Sequence, residues 1–123
     1  MKEDVIAVIN KRVKEFIFLD ASIYKYHDDG LTLALSEDFT YFHNFEIRFR
    51  NVFTVISNTS WSLETKNDFI RILENSEESC HLNLKYGVVI GNSIFQLSTD
   101  EDKVFYIIAE DIELIDNVVR YYS

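Results

Sequence analysis

Apolar positions change their spacing several times along this chain, and each change marks an element. Val5, Ile9, Val13 and Phe16 recur at three- and four-residue steps, with Ile6 and Ile17 beside them and Lys2, Asn10, Lys11 and Lys14 elsewhere. That spacing predicts an amphipathic helix over about 3–15. Glu3 and Asp4 lead it and Lys11, Arg12 and Lys14 close it, the order that complements a helix dipole. After Asp20 the period drops to two. Ile23-Tyr24-Lys25-Tyr26 runs to His27-Asp28-Asp29-Gly30, and Leu31, Leu33 and Leu35 then alternate with Thr32, Ala34 and Ser36. An Asp-Gly pair between two such runs predicts a β-hairpin.

The next run, Phe45-Glu46-Ile47-Arg48-Phe49-Arg50, continues in register through Phe53 and Val55 and predicts a long strand with one buried face. Its other face carries Glu46, Arg48 and Arg50, to be solvated or paired with acids elsewhere. Over Glu64 to Asn75, Phe69, Ile70 and Leu73 share a helical face, which predicts a short second helix. Cys80, Leu82, Leu84 and Tyr86 alternate with His81, Asn83 and Lys85 and read as a strand, and Gly87 to Gly91 as a turn or bulge. Ile94 to Leu97 reads as a short strand, and Asp100-Glu101-Asp102 as the turn into an apolar central strand, Val104 to Ala109. Beyond Ala109 the preferred reading is a continuing strand and a short tail, with a helix through Ile112, Ile115, Val118 and Val119 as the alternative.

These elements sum to an α+β fold, an antiparallel sheet of about six strands with an N-terminal helix and one mid-chain helix packed on one face. A mostly-β barrel or half-barrel, filled by ten phenylalanines and seven tyrosines, is the alternative. The chain has 123 residues, 47% of them hydrophobic, with no proline, repeat or linker, so residues 1–123 are read as a single globular domain. A lone cysteine excludes an intramolecular disulfide framework, and Cys80, in an apolar register, is read as a small buried hydrophobe. The opening Met-Lys-Glu-Asp lacks the basic region of a signal peptide, and Phe16–Leu19 and Val104–Ala109 are too short to span a bilayer. The expectation is a cytoplasmic protein.

Chemistry-bearing motifs are scarce. There is no Gly-x-Ser-x-Gly elbow and no Gly-rich phosphate loop, since the three glycines fall singly, and no cofactor is implied. The net charge of −9 opposes non-specific association with nucleic acid or an anionic membrane and favours a basic protein partner. Seven acids lie between Asp100 and Asp116 against one base, Lys103. Six of them, Asp100, Glu101, Asp102, Glu110, Asp111 and Glu113, form the candidate partner-binding face of a non-enzymatic binding protein. The alternative is a small ligand- or metal-binding domain or enzyme using His27, Asp28 and His43 in a cleft at one end of the sheet. None of the histidines, His81 included, has a local metal-ligand spacing, so no metal site is assigned. Tyr24, Tyr26, Tyr41, Phe42 and Trp61 flank loops, as core filling or as a recognition surface. Exposed strand edges and the Tyr121-Tyr122 tail offer a route to a homodimer.

The order helix, strand ending in His27-Asp28, strand, then Phe45-x-Ile47-x-Phe49-x-x-Val52 resembles small bacterial proteins of the polymorphic-toxin immunity type and related uncharacterised families, over roughly the first half of the chain. The resemblance implies a cytoplasmic protein that neutralises a toxin by binding it. It carries no shared catalytic residues.

Overall fold

A computed structural model describes residues 2–27 and 30–121 of the chain. Helix α1 (Lys2–Val13) is followed by β1 (Asp20–His27), β2 (Gly30–Ser36), β3 (Phe42–His43), β4 (Phe45–Ile56), β5 (Ser60–Ser62) and β6 (Ile70–Leu73). Helix α2 (Glu77–Tyr86), β7 (Ser93–Ser98), β8 (Val104–Ile115) and β9 (Val119–Arg120) complete it. Seven strands form an antiparallel sheet in the order β5-β1-β2-β4-β8-β7-β6, curved into a half-barrel, and β3 pairs with β9 in a separate ribbon. The fold is α+β, as the periodicities predict. His27 pairs with Gly30 across the β1–β2 hairpin, whose Asp28 and Asp29 lie outside the described residues. Among the described residues no helix is long and apolar enough to cross a membrane.

Two apolar clusters sandwich the sheet. Successive strand residues point to opposite faces, and Phe95 and Ile107 belong to the cluster that contains Ile9 and Val13 of α1, while Ile94 and Ile108 belong to the one that contains Leu82 of α2. The helices therefore lie on opposite faces, not on the one face expected from the sequence. The larger cluster fills with Leu31, Leu33, Leu35, Phe45, Ile47 and Phe49, all fully buried. Burying the alternate residues of β2 and β4 in this way supplies most of the driving force, at about 1.5–3 kcal/mol per large apolar side chain.

The β6 edge of the sheet is finished by a helix side chain. Asn10 accepts hydrogen bonds from the backbone N–H of Phe69 (2.9 Å) and Ile70 (3.0 Å) and donates to the Ile70 carbonyl (2.8 Å), taking the place of a neighbouring strand. This explains why residues 70–73 form a strand and not the helix expected over 64–75. The apolar run Phe69-Ile70-x-Ile72-Leu73 suits either period, and pairing with β7 plus the Asn10 clamp decides it.

The second helix lies where a strand was expected. Ser76 caps α2, its side chain accepting from Ser79 N–H at 3.0 Å, while Ser79 Oγ accepts from Ser76 N–H at 3.0 Å. Gly87 ends it in the left-handed conformation, φ +62°. The alternation Cys80, Leu82, Leu84, Tyr86 does not read out on a helix. Leu82 turns to the sheet, Tyr86 packs partly beside it, and Leu84 and Cys80 are exposed. Cys80 is thus a surface thiol and not the buried hydrophobe its register suggested. The stretch after Ala109 does continue as strand, to Ile115, before the short β9.

Candidate functional site

A recess lies where the sheet loses a strand. β7 stops at Ser93, paired with Ala109, but β8 runs on to Ile115 with only β4 beside it. Past Ala109, therefore, β8 has a strand partner on one edge only among the described residues. Two asparagines with positive φ shape the neighbourhood, a conformation asparagine tolerates better than most residues. Asn75 (φ +50°) turns the chain from β6 towards α2, and Asn51 (φ +52°) lies beside the irregularity in β4 opposite Ala109.

The first turn of α1, the β6–α2 corner, the start of β7 and residues 110–112 of β8 enclose a cleft of about 880 Å³. That volume is within the range of ligand-binding recesses. Among the described residues its carboxylates are Glu3, Glu74, Glu110 and Asp111, and its only base is Lys2, whose Nζ donates to Ser93 Oγ at 2.9 Å. The cleft concentrates negative charge brought from three separate parts of the fold, α1, the β6–α2 corner and β8. Its low-dielectric walls raise the field that an approaching cation meets.

The six acids expected to form one face divide into three groups. Asp100, Glu101 and Asp102 occupy the β7–β8 turn, where Asp100 N–H donates to Ser62 C=O and Glu101 lies 3.6 Å from Lys103. Glu110 and Asp111 line the cleft, eight residues or roughly 25 Å further along β8. Glu113 is engaged within the sheet, its Oε1 at 2.6 Å from Arg50 Nη2 and 3.7 Å from Arg48 Nη1. The polar face of β4 is therefore paired with C-terminal acid, and the single acidic face does not form as one surface. Glu3 and Glu74 were missed from the candidate set because they lie far from the cluster in sequence. Only the partnerless end of β8 brings them to Glu110.

The histidine candidates separate too. His43 is fully buried, with Nδ1 at 2.7 Å from Tyr121 Oη and Nε2 at 2.7 Å from Glu46 Oε2. The ring of Tyr24 meets it edge-on at 4.8 Å, and Tyr24 and Tyr121 stack at 6.5 Å. Glu46 Oε1 is also 3.8 Å from Arg48 Nη2, so a polar chain runs from Tyr121 through His43 and Glu46 to Arg48. Both ring nitrogens are occupied, and a metal would have to displace one of these bonds to bind. His43 clasps the β3–β9 ribbon to the sheet. His27 is exposed at the end of β1, and Asp28 lies outside the described residues. Among the described residues no group of three or more His, Cys, Asp or Glu is arranged to hold a metal ion.

The aromatic residues near loops divide between the two roles considered for them. Trp61 packs against Phe105 at 4.9 Å and donates to Ser98 C=O at 3.2 Å, and Phe42 is half-buried, whereas Tyr26 and Tyr41 are exposed. Tyr122 lies outside the described residues. No protein-family model matches this chain, and no curated protein or solved structure is significantly similar to it.

Proposed function

We propose that this chain is a non-enzymatic binding protein whose acidic cleft receives a basic segment of a protein partner. The cleft itself carries the reading, with four carboxylates against one lysine around a recess large enough for several side chains. The overall charge of −9 extends the same sign over the surface and steers a basic partner towards it. A role in neutralising a basic toxin such as a nuclease, inside the cytoplasm, is the form of this reading that the resemblance of the first half to immunity-type proteins implies. The lone, surface-exposed Cys80 agrees with a reducing compartment.

The test is capture from the native cell lysate at low salt, comparing the natural chain with the triple variant Glu74→Lys, Glu110→Lys, Asp111→Lys. A basic protein held by the natural chain, released by high salt and lost by the variant is the expected result. Reversal of the β7–β8 turn acids, Asp100→Lys with Asp102→Lys, leaves capture within about twofold, since a rim charge acts mainly on the association rate. Equal capture by all three proteins overturns the proposal.

A further inference from the structure

We infer that the basic segment enters the cleft as an added β-strand, bonding to the edge of β8 that β7 leaves without a partner. The inference rests on the proposed binding function and adds its geometry. In an antiparallel pair, successive residues turn their backbone N–H and C=O alternately towards one neighbour and the other. Ile112 N–H is directed not into the ladder with β4 but to the Oδ1 of Asp111, at 2.8 Å. It therefore lies on the edge that β7 would have covered had it continued past Ser93.

Asp111 acts as a stand-in acceptor there, with one carboxylate oxygen occupying the place of a strand carbonyl. Just past the end of β8 α1 approaches, with Arg12 Nε at 3.1 Å from Asp116 Oδ1, and the cleft takes in residues 110–112 of the strand. The outer edge of β6, at Ile70, is already closed by Asn10. The occupant that fits is a short extended segment running in line with β7, its backbone bonding at Ile112 and its alternate basic side chains reaching Glu3, Glu74 and Glu110. This is strand addition, in which backbone bonds give affinity and alternating side chains give selectivity. Binding would release Asp111 from Ile112 N–H and free its carboxylate for a cation.

The probe is the blocked hexapeptide Lys-Val-Arg-Val-Lys-Val, with two isomers N-methylated at the odd or at the even positions. Each is titrated at low salt into the full-length ¹⁵N-labelled protein while amide shifts are followed. A strand bonds to its neighbour through alternate residues, so methylation costs one isomer its bonds and leaves the other intact. The expected result is saturable shifts at Glu110 and Ile112, one isomer weakened at least about tenfold and the other within about threefold of the parent. If the parent binds at these residues and both isomers bind alike, or are weakened alike, strand addition is overturned and the cleft reading stands. If the parent fails to bind, or binds away from 110–112, both readings fall.

Discussion

Replacing Asn10 by alanine tests how much of this sheet depends on one helix side chain. Asn10 is only 8% exposed and makes three hydrogen bonds to the backbone of Phe69 and Ile70, at 2.8–3.0 Å. Each is worth about 1 kcal/mol net, so the loss is about 3 kcal/mol; alanine's better helix propensity returns about 0.5 kcal/mol. A net destabilisation of about 2.5 kcal/mol follows. With a urea slope of about 2 kcal/mol/M, as a small domain shows, the midpoint falls by a little over 1 M. The slope itself should be unchanged, because the surface exposed on unfolding is nearly the same. Hydrogen exchange adds a local readout, since the Phe69 and Ile70 amides lose protection in the variant by more than the global change requires. A stability loss under about 0.5 kcal/mol, with those amides still protected, would refute the claim that Asn10 closes the edge of β6.

Three further outcomes follow from the same geometry. Burial, and then the hydrogen bond to Glu78, pushes the Tyr106 phenol up, and burial, with Tyr24 and Glu46 nearby, does the same for Tyr121. Both favour the neutral phenol in the folded chain, so their contribution to stability is full below the unfolded value of about 10 and is lost as pH rises through the folded values. Tyrosinate absorbance should show late-titrating phenols, one fewer in Tyr106→Phe, and an unchanged late fraction in that variant would contradict the assignment. Gly87→Ala should cost about 1 kcal/mol in thermal or urea unfolding, because φ is +62° there while, among the described residues, nothing beyond its immediate chain neighbours lies within 4 Å of an added Cβ; a neutral substitution would show the cap to be unimportant. Cys80 should react with a thiol reagent in the native protein, whereas reaction only after unfolding would contradict its exposure on α2.

The elements legible from sequence were those long enough to repeat their period. Helix α1 shows three turns of apolar spacing, β4 carries a long alternating run, and β8 carries an unbroken apolar run as far as Ala109, beyond which a helical spacing competes. Where the reading failed, the deciding partner lay elsewhere in the chain. β6 is four residues long and its edge is closed by Asn10, sixty positions away. α2 buries chiefly Leu82 against the sheet, so its exposed Leu84 and Cys80 imitated a strand, and its cap uses a serine pair without the usual Glu or Gln. Position 43 looked like one histidine among three. Its role as a buried clasp depends on Tyr121 and Glu46, and only Glu46 lies close by in sequence. The cleft was legible only in part: the cluster around Glu110 and Asp111 stood out, but the vacancy beside β8 depends on where β7 stops.

The pairing of β4 with β8 sets an order on how this chain can acquire its structure. Phe49 meets Ile112 and Val55 meets Ile107, so the middle of the sheet joins segments roughly fifty to sixty residues apart. A nascent chain that has completed the β1–β2 hairpin and β4 must keep a long apolar ribbon open on one side until β8 is synthesised. At cellular elongation rates of about 5–20 residues per second, that wait is on the order of 3–12 s. Loop closure of this length also places the domain among the slower two-state folders, in the millisecond-to-second range. During that interval β4 has no neighbour on its β8 side, and the arginines Arg48 and Arg50 along it, not yet joined by Glu113, are the charges that discourage another chain from taking that place.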